Sequence, residues 1–195
     1  MLEVEVKFRI EDPAAFESRV ASLFGSTFGE PAVESDVFFR NADAGFPEAG
    51  KSLRIRRRGN ELMTTFKGPL LDASTKTREE LELPLATCGD VESAAANWTR
   101  FFERLGFQSA ARVVKTRRRL RFRYEGREFE ATLDVLKGLG TFAELETMAE
   151  ESEFESARGA TLALATALGL SEPVKSSYLA MALAAQTSGE VEEER

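Results

Sequence analysis

The sequence predicts an α+β fold: a closed antiparallel eight-stranded β-barrel with helices packed outside it. Three observations carry this expectation. About eight segments alternate apolar and charged residues with a period of two, as strands with two unlike faces do. Helical periodicity intervenes after the first, the fifth and the last of these segments, which suits an antiparallel sheet covered on one side. Nearly every strand has one apolar face that a helix can cover, so closing the sheet turns the charged faces into its interior. At 195 residues and 43% hydrophobic composition, the chain can bury a sizeable core.

The first strand is expected over Leu2 to Ile10, with Val4, Val6 and Phe8 opposite Glu3, Glu5, Lys7 and Arg9. Asp12-Pro13 then supplies an N-cap and a first-turn proline for a helix to about Phe24, striped by Phe16, Val20, Leu23 and Phe24. Extended character returns over Val33 to Arg40. Ser52 to Arg58 alternates again and turns at Gly59-Asn60 into Glu61 to Lys67, a hairpin signal. Thr75 to Leu85 sets Arg78, Glu80 and Glu82 against Leu81 and Leu83. A helix follows over Val91 to Leu105, with Ala95, Trp98, Phe101, Phe102 and Leu105 as its core face. Two long strands, Val113 to Tyr124 and Arg127 to Leu136, are joined at Glu125-Gly126, and a last strand spans Thr141 to Thr147. Residues 153–169 and 174–186 read as helices, the second amphipathic and suited to packing on the barrel.

The charged faces hold the chemistry. One such face could simply lie in water. Seven strands in succession whose polar faces are built from Lys, Arg, Glu and Asp argue instead for an enclosed charged interior. Unpaired cations there would be costly, so an anion is expected to satisfy them. Glu-x-Glu recurs at 3–5, 80–82 and 144–146, with Asp134 in addition. Alternate strand residues point the same way, so each pair can aim two carboxylates at one cation. Clustered carboxylates beside clustered cations fit a polyphosphate chelated by a divalent metal.

These residues resemble the CYTH superfamily, the triphosphate tunnel metalloenzymes. The likeness runs through Glu3-x-Glu5-x-Lys7, Leu53-Arg54-Ile55-Arg56, Phe66-Lys67-Gly68-Pro69, Arg78-x-Glu80-x-Glu82, Lys115-x-Arg117, Leu133-Asp134 and Phe142-Ala143-Glu144-Leu145-Glu146. Leu139-Gly140-Thr141-Phe142 and Ser177-Tyr178 look most like the class IV adenylate cyclase branch. The resemblance implies one domain over 1–186, with 187–195 as a disordered acidic tail. It implies Mg2+ or Mn2+ held by Glu3, Glu5, Asp134, Glu144 and Glu146, with Glu80 or Glu82 assisting. Lys7, Arg54, Arg56, Lys67, Lys115 and Arg117 would hold the triphosphate, seconded by Arg78 and Arg119, and Lys175 could reach the tunnel mouth. Glu3, Glu5 and Lys7 would act in catalysis. In a cyclase the ribose 3′-hydroxyl of ATP attacks the α-phosphorus and pyrophosphate leaves. In a triphosphatase acting on tripolyphosphate or thiamine triphosphate, water attacks the terminal phosphorus with Lys7 as base. A non-catalytic polyphosphate binder would use the same residues. Related cyclases suggest a homodimer.

Composition narrows the alternatives. The chain has no histidine, which excludes Ser-His-Asp chemistry and histidine metal ligation and favours oxygen-liganded metals. Cys88 is the sole cysteine, expected to be inert and to sit in a reducing, cytoplasmic setting. No run approaches the roughly 18 apolar residues of a membrane span, and no signal peptide is expected. A net charge of −7 disfavours nucleic acid and acidic membranes. The run Arg117-Arg118-Arg119, continued by Arg121 and Arg123, splits on a strand, with Arg118 outside and Arg121 and Arg123 near the rim. Gly45 to Ser52 spells a Walker A pattern, but a strand rather than a helix is expected after it, so it reads as a loop.

Overall fold

The computed structural model describes residues 1–47, 50–72, 74–87 and 89–188. Cys88, Glu48 and Ala49 of the Walker-like stretch, and tail residues 189–195 lie outside the described residues.

Eight strands close an antiparallel barrel: β1 (Leu2–Arg9), β2 (Ala32–Arg40), β3 (Ser52–Arg58), β4 (Glu61–Lys67), β5 (Arg78–Pro84), β6 (Gln108–Tyr124), β7 (Arg127–Leu136) and β8 (Gly140–Ala149). Around the ring they follow β1-β5-β4-β3-β2-β6-β7-β8. Helix α1 (Pro13–Phe24) follows β1 and α2 (Val91–Arg104) follows β5, while α3 (Phe154–Ala167) and α4 (Tyr178–Ser188) follow β8. A single 3-10 turn (Glu151–Glu153) leads into α3.

Local chemistry explains most boundaries. The Asp12 side chain accepts from the Ala15 amide at 3.0 Å, and α1 ends at Gly25 with φ of 63°, a left-handed cap that glycine takes without strain. Helix α2 begins the same way, with Asp90 accepting from the Ser93 amide at 2.8 Å. Strand β5 begins at Arg78, three residues later than expected. Asp72 Oδ1 accepts from the Ser74 and Thr75 amides at 2.9 Å each, which folds 72–77 into a turn before the strand. Strand β6 starts at Gln108, five residues early, because its outer end pairs with Arg40 and Phe39 of β2 across a bulge. Helix α4 begins at Tyr178, and its backbone reaches Ser188, two residues into the segment expected as tail.

The apolar faces point outward and carry the helices. Val6, Phe8, Leu133 and Leu145 pack with Phe16 and Val20 of α1 and Leu164 of α3. Phe39, Ile55 and Leu62 meet α2 through Ala94, Trp98 and Phe102, and Trp98 Nε1 donates to the Ala86 carbonyl at 3.0 Å. At one end of the barrel the inward-facing Phe38, Val113 and Phe142 instead meet Tyr178 and Leu179 of α4. Three expected core positions are at least half-exposed: Leu23 at 50%, Phe101 at 50% and Leu105 at 57%, since each faces away from the barrel wall. Among the described residues no helix is long and apolar enough to cross a membrane.

Candidate active site in the barrel interior

Alternation in every strand delivers charged side chains to the barrel axis, where they line a cavity of about 880 Å³. Glu3, Glu5 and Lys7 of β1, Arg56 of β3, Lys67 of β4, Lys115 and Arg117 of β6, Asp134 of β7 and Glu144 of β8 are all buried. Arg54, Arg78, Glu80, Glu82, Arg119 and Glu146 also line the cavity.

One wall is acidic. Glu3, Glu5 and Glu146 each bring a carboxylate oxygen within 4.8 Å of the others. Burial, and then the neighbouring Glu3 charge, pushes Glu146 up to about 8. Burial likewise raises Glu3, against the pull of Lys67. A hard divalent cation would offset the charge gathered by three oxygen donors confined this closely, so the donor set fits Mg2+ or Mn2+.

All but one of the remaining expected metal carboxylates are held by cations of the chain itself, the exception being Glu82. Arg117 forks onto Asp134 at 2.6 and 2.5 Å and reaches Glu144 at 2.5 Å. Lys7 lies 3.1 Å from Glu144. Glu80 lies 3.2 Å from Lys67, and Glu82 accepts from the Thr65 hydroxyl at 3.0 Å. Lys67 also donates to both Glu3 oxygens at 2.7 and 2.6 Å, and burial of Lys67 is overcome by that pairing, which raises its affinity for a proton.

The opposite wall is basic. Arg54, Arg56, Lys115, Arg117 and Arg119 converge there from β3 and β6. Among them stand two carboxylates that sequence reasoning missed, Glu34 and Asp36 of β2, both buried. Arg56 forks onto Asp36 at 2.7 Å through each nitrogen. Glu34 Oε2 has no hydrogen-bond partner, although Arg56 and Lys115 each lie 3.3 Å away, and Arg119 bonds its other oxygen. Burial alone would raise Glu34; Arg56, Lys115, Arg117 and Arg119 override it and hold the carboxyl at about 2. Burial, then Arg117, brings Lys115 down to about 8 despite Asp36. The missed pair had a signal: Glu34-x-Asp36 alternates with Val33, Ser35 and Val37 as Glu3-x-Glu5 does with its neighbours.

Lys76 was also missed. It precedes β5 in a turn, although in the sequence it shares the parity of Arg78, Glu80 and Glu82. Its amide donates to the Glu5 carbonyl at 2.9 Å, and its Nζ lies 3.6 Å from Glu5 Oε1 and donates to the Ser176 carbonyl at 3.3 Å. Lys175, expected near the mouth, is exposed and does not line the cavity, because Val174 is tied to the Lys7 carbonyl at 2.7 Å and the next side chain turns to solvent. Tyr178 closes this end. Its hydroxyl donates to Asp134 at 2.9 Å, and Lys7 Nζ sits 3.6 Å above its ring. Arg121 and Arg123 reach the opposite rim, where Arg121 pairs with the buried Glu130 and Arg123 with the exposed Glu128, and Arg118 turns outside to Glu17. The stretch ending at Ser52 runs straight into β3, so no helix N-terminus follows the Walker-like pattern.

A buried carboxylate trio facing a guanidinium and ammonium cluster across one cavity is the arrangement expected of a triphosphate tunnel. The CYTH domain family matches residues 1–178. The chain belongs to the CYTH family. Among CYTH-like relatives, a protein of Methanocaldococcus jannaschii that carries the provisional name adenylate cyclase is 31% identical over 182 residues. That match covers 92% of this chain and 97% of the relative. Adenylate cyclase CyaB of Aeromonas hydrophila is 32% identical over 172 residues, covering 87% of this chain and 81% of its own. A solved Pyrococcus horikoshii protein superposes with a TM-score of 0.78 at 30% identity, over 93% of this chain and 98% of its own. A Hippeastrum protein described as having a dominant triphosphatase activity shares the CYTH fold at a TM-score of 0.60 and 20% identity, over 97% of each chain.

Proposed function

We propose that this CYTH chain is a divalent-metal-dependent enzyme of triphosphates, of the class IV adenylate cyclase type, converting ATP to cyclic AMP and pyrophosphate. The observation that supports it is the division of one cavity into an acidic wall, Glu3, Glu5 and Glu146, and a basic wall, Arg54, Arg56, Lys115 and Arg117. The cyclase names of the two relatives at 31% and 32% identity favour ATP as the substrate.

Glu3, Glu5 and Glu146 would hold Mg2+ or Mn2+. When bound, the cation supplies charge neutralisation at phosphoryl oxygens and lowers the proton affinity of a bound hydroxyl. The basic wall grips the triphosphate, with guanidinium forks on pairs of oxygens and Lys67 and Lys115 as point charges. Arg78 and Arg119 extend that grip. As the 3′-oxygen bonds to the α-phosphorus and the bond to pyrophosphate breaks, the charge that develops falls among donors already fixed in place. Lys7, held between Glu144 and the Tyr178 ring, is oriented for the reacting centre and stands beside the carboxylates that would receive the hydroxyl proton. Glu80 and Glu82 keep Lys67 and Thr65 aligned, and Asp134 and Glu144 keep Arg117 aligned. With one cysteine and no membrane-spanning helix among the described residues, a cytoplasmic location accords with this reading.

Product analysis tests it. The purified chain is incubated with Mg2+ or Mn2+ and either ATP or tripolyphosphate. Cyclic AMP with stoichiometric pyrophosphate is the expected result, and Glu5→Gln should lower the rate by at least about 100-fold. Orthophosphate from tripolyphosphate without cyclic AMP would overturn the cyclase and make the chain a triphosphatase. Binding of either ligand without product would leave a polyphosphate-binding module.

A further inference from the structure

Three ammonium groups stand beside the acidic wall, and they differ in what holds them. Lys7 lies 3.1 Å from Glu144, which is outside the trio of Glu3, Glu5 and Glu146. Lys67 bonds both Glu3 oxygens but also has Glu80 at 3.2 Å. Lys76 has neither safeguard. Among the described residues, Glu5 of the trio is the only carboxylate within 4 Å of its Nζ, at 3.6 Å. The same nitrogen donates to a neutral group, the Ser176 carbonyl, at 3.3 Å, and the like charge of Lys7 acts on it as well.

The backbone of Lys76 is fixed while its ammonium is loosely held. Asp72 Oδ1 accepts from the Ser74 and Thr75 amides at 2.9 Å each, and the Leu71 amide donates to the Thr77 carbonyl at 2.8 Å. The Lys76 amide itself donates to the Glu5 carbonyl at 2.9 Å. The residue is buried and lines the cavity, so its four-carbon stem can swing the charge within the barrel without disturbing the turn. A divalent cation drawn to the trio would cancel the pull of Glu5 and repel an ammonium so close to it, and such forces are strong where water is scarce. Lys76 would then keep only a neutral acceptor. The oxygens of a phosphate chain bridged by the same cation offer it anionic ones. We infer that Lys76 is an exchange contact: paired with Glu5 before the metal binds, it passes to a phosphoryl oxygen once Glu5 takes the cation. This inference rests on the tunnel reading above and adds a phosphate ligand that only the metal-loaded site presents.

The test compares the wild-type chain with Lys76→Gln, whose amide can still donate to the Ser176 carbonyl. Lys76→Met, which keeps the stem and has no donor, is the second variant, and thermal melts check both folds. Binding of Mn2+ alone is followed by the paramagnetic resonance of the free ion. Binding of tripolyphosphate is followed by calorimetry, once with Mg2+ and once in a chelator. Removing the ammonium should tighten Mn2+ alone at least about threefold, because a competitor for Glu5 is gone. It should weaken tripolyphosphate about tenfold with Mg2+ but less than about twofold in the chelator, where Glu5 occupies the wild-type lysine. A merely structural lysine would not move the two ligands in opposite directions. Equal losses of tripolyphosphate with and without Mg2+, or unchanged Mn2+ binding, overturn the inference and leave the tunnel reading standing. If wild type binds neither Mn2+ nor tripolyphosphate, the tunnel reading falls and takes this one with it.

Discussion

Glu34 sets a tension inside the basic wall. It is fully buried, one oxygen lacks a hydrogen bond, and four cations surround it. On the proposed function, a polyphosphate arriving there would meet cations already partly satisfied, so Glu34 would both order the basic wall and compete with that ligand. Its carboxyl falls from the ordinary 4.5 to about 2 on folding. The folded state therefore binds fewer protons than the unfolded chain between those values. The resulting stabilisation is present above about pH 4.5 and is lost as pH falls towards 2, and amounts to roughly 3 kcal/mol. Glu34→Gln is expected to melt lower at pH 7, to show a flatter acid limb and to bind tripolyphosphate several-fold more tightly. An acid limb identical to wild type between pH 5 and 2 would remove Glu34 from this role. Legibility at the residue scale followed periodicity. Glu3, Glu5, Lys7, Arg54, Arg56, Lys115 and Arg117 could be assigned inward because their strands alternate cleanly. Glu34 and Asp36 obey the same rule and went unread, as did Lys76, which keeps the parity of Arg78 although it sits in the turn before β5.

Helix α4 shows what an element can add to a site built on strands. Its first residue places a ring against Phe142, with centroids 5.5 Å apart, and a hydroxyl on Asp134, while Leu179 seals the wall behind it. Tyr178→Ala should cost about 3–5 kcal/mol through the lost ring and the cavity left behind. Tyr178→Phe should cost about 1 kcal/mol, because Arg117 still satisfies Asp134. Chemical denaturation measures both, and equal losses would mean that the ring contributes nothing beyond its hydroxyl. The strands and helices were readable in order because capping residues, glycine turns and period-two alternation all agree. Departures fall where a tertiary partner decides: β6 is lengthened by pairing with β2, and α4 starts late because 173–177 is tied along β1 by the Phe8–Pro173 bridge and the Val174 amide. That a late helix would end the cavity could not be read from amphipathicity, which says that a face is covered without saying by what.

At the scale of the whole molecule, the ring is unevenly joined. Strand β1 pairs with β8 from Leu2↔Ala149 to Arg9↔Phe142, but with β5 through Leu2↔Glu79 and Glu3↔Arg78, continued by the Lys76 amide on the Glu5 carbonyl. Across this short joint the side chains do much of the bridging: Lys67 of β4 bonds Glu3 and lies near Glu80, and Lys76 lies near Glu5. Glu3 and Glu5 are among the carboxylates proposed to hold the metal. Adding Mg2+ and tripolyphosphate should therefore slow amide hydrogen exchange in β5 and the adjoining half of β1 more than in β6 and β7, which are already well paired. Uniform slowing around the ring would show that the joint behaves like any other. On the proposed function, the metal and its phosphates would act as a clasp as well as a cargo. The barrel would then be fastened most firmly with substrate bound, and each product release would reopen the seam that the next substrate must close.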